Sequence, residues 1–294
     1  LEKTFEHAGI FSATFAGVLM VEAVAEGLCD YDLPDTYYEC IQDIVGDHQI
    51  SQKLFQQLNQ LGLVHFEKRL GQGAAGSVFQ IAGGKKFSDQ KVALKVLSPS
   101  EMNLIKGGNH GEVISIKLPE NCHLGCAYGI FTYDGIHVHY AEKFDPIFHR
   151  GHVLIATISE AVQGETLYSH MQHRSMSIED VKGYGRQLAQ AILSLHESGF
   201  VHQDLHAKNI LVKDVGIEKD PCDLKVIDFT LSSKIWEGGV RDDWKNFGIL
   251  ISEMGENLIL NSHFYDLVYS EMHGLLNGLQ PYSENEILNH SFFS

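Results

Sequence analysis

Residues 201–212 read Val201-His202-Gln203-Asp204-Leu205-His206-Ala207-Lys208-Asn209-Ile210-Leu211-Val212, placing Asp204 five positions before Asn209 with apolar residues on both sides. Apolar flanks pin a short polar loop in place. At this spacing the carboxylate suits orientation of an attacking hydroxyl and removal of its proton, and the amide oxygen suits ligation of Mg2+. Further on, Leu224-Lys225-Val226-Ile227-Asp228-Phe229-Thr230 ends an apolar run on a carboxylate, a position that a hard cation with oxygen ligands would explain. Either aspartate alone reads as an ordinary loop residue. Both together, in this order, are poorly explained by chance.

Upstream, Gly71-Gln72-Gly73-Ala74-Ala75-Gly76 lies between two β-prone runs. Glycines there let backbone N–H groups approach a polyphosphate without Cβ interference. No helix follows, so a dinucleotide fingerprint does not fit, whereas a glycine hairpin over nucleotide phosphates does. A plain turn is the alternative. Lys95 in Val92-Ala93-Leu94-Lys95 sits in a strand pattern, where its ammonium needs an anionic partner. Glu112 is the expected partner that would hold it against the α/β-phosphates; Glu101 is a weaker candidate, and two solvated charges are the plain alternative.

The elements that must position these residues follow from periodicity. Residues 4–61 read as helices: Phe5, Phe11, Phe15, Val18 and Leu19 fall on one stripe. Ile50, Leu54, Leu58 and Leu61 continue it after a break near Pro34 and Gly46. Strands are predicted at 63–70, 77–82, 91–97, 127–132, 153–160, 210–213 and 224–227, with a helix over 103–118. Another helix starts at Ile178, with Ser177 as N-cap and Asp180 three residues on. A β-rich first half and a helical second half imply an α+β, bilobal fold with a cleft.

Composition sets the outer bounds. With 44% apolar and 20% charged residues, a packed core is expected rather than disorder. The net charge of −16 repels phosphate backbones and anionic membranes, so neither nucleic acid nor membrane is an expected partner. It favours a basic partner, although a solvated acidic face is the commoner reason for such a charge. Seventeen histidines offset part of it in mildly acidic conditions. The uncharged stretch at 8–21 falls short of the roughly 20 residues that span a bilayer, and it lacks the basic flank of a signal peptide. The first residue is Leu1 rather than Met, so upstream residues are expected. The five cysteines are Cys29, Cys40, Cys122, Cys126 and Cys222; Cys122, His123 and Cys126 hint at metal spacing, but no second pair follows. Free thiols and a reducing compartment are therefore expected.

From about Leu63 to Ser294 these motifs resemble the eukaryotic-like protein kinase superfamily. The resemblance implies a kinase-like fold: a helical extension at 1–62, an N-lobe with hinge at 63–164 and a C-lobe at 165–294. It implies ATP and Mg2+ as cofactors, held by Gly71, Gly73, Gly76, Val78, Ala93 and Lys95 around the nucleotide. Glu160 and Val162 belong to a hinge, Ser159-Glu160-Ala161-Val162-Gln163-Gly164, that receives adenine. Asp204 would be the catalytic base, Glu112 the helix partner of Lys95, and Asn209 and Asp228 the metal ligands. Asp243 looks like the aspartate that anchors the catalytic loop, and 286–293 resembles the terminal helix and H-P-F-F ending of many protein kinases. The partner implied is a protein substrate, with a basic patch favoured by the charge. The location implied is the cytoplasm, or a host cytosol for a secreted bacterial effector.

Four departures form one pattern. Gln203 replaces the usual Arg; Asp228 and Asp243 are too close for an ordinary activation segment; no A-P-E triplet lies between them; and Thr230 replaces the Gly of D-F-G. In the family that Arg pairs with a phosphate on the activation segment, so the losses are consistent with an enzyme not switched in that way. Thr230 and the His206 of "HQDLHAKN" resemble the haspin kinases, and the compactness resembles kinases injected by pathogenic bacteria. His206 stands where most protein kinases carry a γ-phosphate-contacting Lys, a charge that Lys208 could supply. Aminoglycoside-type kinases also have His there, so a small-molecule kinase stays open, as does an ATP-binding pseudokinase scaffold.

Overall fold

Gly46, in the left-handed region at φ +69°, separates helix α1 (Thr36–Val45) from helix α2 (His48–Gln60). Glycine takes that conformation without a Cβ penalty. Asp47 then caps α2, its carboxylate accepting the Ile50 N–H at 2.9 Å. The computed structural model describes residues 36–87, 90–105, 110–119, 121–213 and 222–256. The expectations placed on the helical stripe from Phe5 to Leu19 and on the 286–293 ending lie outside the described residues.

The chain divides into two compact units. Among the described residues, the first comprises 36–105, Gly129–Ala141 and His149–Ile158. Its strands are β1 (Phe66–Gly73), β2 (Gly76–Ile81), β3 (Val92–Leu97), β4 (Ala127–Tyr133), β5 (Val138–Ala141) and β6 (Val153–Glu160). They form one six-stranded sheet in the order β1-β2-β3-β6-β4-β5. Ile41, Leu54 and Leu58 join Phe79, Ile81, Leu94 and Ile155 in a single core, so the apolar faces of α1 and α2 are covered by the sheet.

Among the described residues, the second unit comprises 110–128, Glu142–Phe148 and 159–256. It contains α3 (Gly111–Ser115), β7 (Gly164–Thr166), α4 (Leu167–His173), α5 (Ile178–Glu197), β8 (Phe200–Val201), β9 (Ile210–Lys213), β10 (Leu224–Val226), β11 (Ser233–Lys234) and α6 (Glu237–Glu256). Helix α5 starts with a full capping box: Ser177 accepts the Asp180 N–H, and Asp180 accepts the Ser177 N–H. Leu188, Ile192 and Leu195 of α5 pack with Phe247, Leu250 and Ile251 of α6 and with Ile210 and Val226 of the strands. The α+β character read from the sequence is observed, sheet-rich first and helical later.

Two expectations need correction. The helix predicted over 103–118 is, among the described residues, only the short α3. Leu104 instead bridges Val153, and the Ile105 N–H bonds the His152 carbonyl at 2.8 Å, which holds that stretch extended. The cysteines are not all free thiols either. Cys122 and Cys222 form a disulfide across a sequence separation of 100, and Cys40 is also disulfide-bonded. The segment after Cys122 is laid along β10, with the Val226 N–H on the His123 carbonyl at 2.8 Å and the Gly125 N–H on the Val226 carbonyl at 2.7 Å. That register brings the two sulfurs together, and the reading of a reducing compartment loses the support it took from them. Among the described residues no helix is long and apolar enough to cross a membrane.

Candidate active site

In the first unit, the β1–β2 hairpin pairs Gly73 with Gly76 around Ala74-Ala75. Gly76 has φ +141°, and a Cβ there would lie 2.0 Å from the Val96 carbonyl oxygen. The fold itself requires this glycine. Gly71 and Gly73 differ: a Cβ on either would meet nothing within 4 Å. Packing therefore gives no reason for either of these two glycines. The ladder register sets Gly71 opposite Val78 and Val78 opposite Lys95. Alternation along β3 buries Val92, Leu94 and Val96 and turns Ala93 and Lys95 to the other face. Val78, Ala93 and Lys95 therefore share one half-buried face.

In the second unit, the loop after β8 is held from α6. Asp243, fully buried, accepts the His202 N–H and the Gln203 N–H, each at 2.8 Å. Its Oδ2 also lies 2.9 Å from His196 Nε2. Gln203 takes φ +68°, a conformation that costs a non-glycine residue about 1–3 kcal/mol. The bonds to Asp243, and one from the Gln203 side-chain amide to the Ser233 hydroxyl, hold it there. Beyond the turn, Asn209 donates its amide N–H to the Asp204 carbonyl (2.9 Å) and to Asp204 Oδ2 (3.0 Å). His206 Nε2 stands 3.6 Å from the same oxygen. The His206 imidazole beside it keeps the Asp204 carboxyl below the usual carboxylate range, against the opposing effect of burial.

Asp228 follows β10 at φ +63°. The Asn209 carbonyl accepts the Ile227 N–H at 2.9 Å, and His202 Nε2 lies 3.1 Å from the Ile227 carbonyl. These contacts stitch the Asp204–Asn209 loop to the segment bearing Asp228. The Thr230 hydroxyl sits between two carboxylates, 2.6 Å from Asp228 Oδ1 and 2.6 Å from Glu112 Oε1. Its single proton serves one of them at a time. Helix α3 reaches this position because Gly111 has no side chain; a Cβ there would lie 2.1 Å from the Thr230 carbonyl oxygen and 2.2 Å from that of Phe229.

The structure thus gathers Asp204, His206, Asn209, Asp228 and Glu112 in the second unit, and Gly71, Gly73, Gly76, Val78, Ala93 and Lys95 in the first. Glu160 is the last residue of β6 and Val162 lies just beyond it, both in the second unit. Glu160 is ion-paired with Lys225, whose side chain is buried on β10. Lys208 is exposed, with its Nζ 5.2 Å from the centre of the Tyr168 ring. Gly111, Thr230 as a partner of Glu112, and Lys225 as a partner of Glu160 were not read from sequence. Only the D-F-T departure pointed toward any of them. Asn209 and Asp228 supply an amide oxygen and a carboxylate, hard donors of the kind Mg2+ takes. Asn209 turns its nitrogen to Asp204, so its oxygen lies on the other side of the amide.

A family model described as the protein kinase domain matches residues 64–245. The chain is 28% identical over 191 residues to a probable serine/threonine-protein kinase of Dictyostelium discoideum, covering 63% of this chain and 18% of that protein. It is 26% identical over 249 residues to a RAC family serine/threonine-protein kinase homolog of the same organism, covering 72% and 48%. It is 30% identical over 202 residues to serine/threonine-protein kinase OXI1 of Arabidopsis thaliana, covering 65% and 41%. The chain spans less than half the length of each of these relatives.

Proposed function

We infer, since the chain belongs to the protein kinase family, that it transfers the γ-phosphoryl group of ATP to a Ser or Thr hydroxyl of a protein. The observation that carries this reading is the bonded pair Asp204–Asn209, stitched through Ile227 to the segment of Asp228. Asp204, held ionised, orients the substrate hydroxyl and accepts its proton. Asn209 and Asp228 would hold Mg2+, which when bound neutralises charge on the phosphates. Gly71, Gly73 and Gly76 cover the nucleotide, Lys95 contacts its phosphates, Val78 and Ala93 form apolar walls for the base, and the backbone at Glu160 and Val162 receives the adenine edge. Catalysis on this reading is positioning and charge neutralisation.

The enzyme is an atypical one, not controlled by activation-loop phosphorylation. Supporting this, Asp228 is followed directly by a turn, by β11 paired with β8, and by α6 from Glu237. Gln203, where the family's phosphate-binding Arg would stand, bonds Ser233 of β11. A neutral amide and a hydroxyl hold the short segment without a phosphate. The charge of −16 supports a protein substrate with a basic patch.

Incubation with radiolabelled ATP and Mg2+, in the presence of basic proteins or of a panel of alcohols and aminoglycosides, tests the reading. Label is expected on protein Ser or Thr. Asp204→Ala should abolish transfer while ATP binding persists, and Lys95→Ala should cut turnover severely. Label appearing only on a small alcohol, or near-wild-type activity in both variants, refutes the assignment.

A further inference from the structure

The β4–β5 turn reads Asp134-Gly135-Ile136-His137-Val138-His139. None of its side chains takes part in the phosphoryl-transfer reading. His137 lies just before β5 and His139 is its second residue, and both rings stand beside the Asp134 carboxylate. Asp134 Oδ1 accepts the N–H groups of Ile136 at 2.7 Å and His137 at 2.6 Å. The carboxylate is thereby turned so that Oδ2 lies 2.8 Å from His139 Nε2 and 3.8 Å from His137 Nδ1. One oxygen and one nitrogen from each ring all fall within 4.8 Å of one another.

We propose that Asp134, His137 and His139 form a binding site for a zinc-class divalent cation, with no ligand in common with Asn209 and Asp228. Donors around a tetrahedral zinc ion, bonded at ~2.0–2.1 Å, stand roughly 3.3 Å apart. The three atoms reach that arrangement by modest side-chain rotation, on a rim where the His137 side chain is 68% exposed. Two imidazoles and a carboxylate suit Zn2+ or Co2+, whereas Mg2+ and Ca2+ call for oxygen alone. A fourth position stays open to water or a further ligand.

The surroundings fix the innermost ligand. His139 stands opposite Thr132 in the β4–β5 ladder, and its ring stacks on His152 with centroids 5.4 Å apart. His152 Nδ1 is 3.2 Å from the Thr132 hydroxyl, and His149 packs edge-on against His152 at 5.4 Å. This stack limits rotation of the His139 ring and keeps it beside Asp134. A cation here clips the turn to the edge strand β5. The same turn is tied to α2, where Lys53 donates to the Ile136 carbonyl. Binding is therefore coupled to the stability of the first unit. The other cluster of this kind among the described residues, Cys122, His123 and Cys222, has its two sulfurs joined in a disulfide.

The test uses the full chain freed of metal by a chelator. Calorimetric titration with Zn2+ should give one equivalent bound and a raised Tm. Co2+ should give the visible absorption of a nitrogen- and oxygen-ligated tetrahedral ion. The His137→Ala/His139→Ala double variant should lose that equivalent and the Tm shift while keeping the metal-free Tm. Asp134→Asn, which preserves the size of the turn residue, should weaken Zn2+ binding by at least about 10-fold. Asp228→Asn should leave it unchanged. No Zn2+ bound by the wild type, unchanged binding in both hairpin variants, or thiolate charge-transfer bands in the Co2+ spectrum would each overturn the assignment.

Discussion

Two residue-level contrasts separate what the fold demands from what a ligand demands. Gly76→Ala places a Cβ against the Val96 carbonyl oxygen at a φ of +141°. It should lose at least about 1–3 kcal/mol in a urea unfolding curve. Gly73→Ala meets no neighbouring atom, so it should leave the unfolding midpoint in place and raise the KM for ATP. The second contrast concerns Asp204. The His206 imidazole beside it lowers the Asp204 pKa most and His202 lowers it further, while burial and Asp228 raise it. A base with a lowered pKa stays ionised as pH falls, so the acid limb of kcat/KM should lie below the ordinary Asp value of about 3.9. Removing His206 takes away the largest lowering influence and leaves burial and Asp228 opposed by His202 alone. In His206→Ala the acid limb should therefore move to higher pH, and carboxyl 13C titration of Asp204 should follow it; a limb that stays put would separate His206 from the base.

At the scale of elements, the decisive contact is between α3 and the Asp228-Phe229-Thr230 segment. Glu112 takes a hydrogen bond from Thr230 only because Gly111 lets the first turn of α3 lie directly on the backbone of residues 229 and 230. That backbone is itself fixed: Phe229 is buried against the His202 ring, with centroids 5.2 Å apart. It cannot give way as a flexible side chain would. Gly111→Ala should thus displace α3, separate Glu112 from Thr230 and lower kcat by at least 10-fold, roughly the effect of losing a hydrogen bond to a charged group. Nucleotide-free thermal unfolding and turnover, measured together, check it. Full activity at wild-type Tm would show that α3 does not need this close approach.

Over the whole molecule, α1 and α2 are part of the first unit's core rather than an appended arm. Leu58 is completely buried among sheet residues. Leu58→Ala should cost about 2–5 kcal/mol of unfolding free energy, whereas exposed Gln56→Ala on the same helix should be close to neutral. Equal effects would mean that α2 contributes propensity and not packing. The periodicity of Leu54 and Leu58 announced this buried face, but what covers it is a sheet built from three separated stretches of chain.

What the sequence determined by itself was the set of local, contiguous features. These were the Asp204–Asn209 spacing, the apolar run into Asp228, the alternation around Lys95, and the Ser177–Asp180 cap. Each depends on residues a few positions apart, where backbone geometry alone relates them. The tertiary structure decided the partners. Thr230 meets Glu112 across 118 residues, Lys225 meets Glu160 across 65, and Cys122 meets Cys222 across 100. It also shortened the helix predicted over 103–118, because bonding to His152 and Val153 held Leu104 and Ile105 extended. Such choices turn on which strand lies beside which, and that is settled by the packing of two cores, which no local spacing encodes.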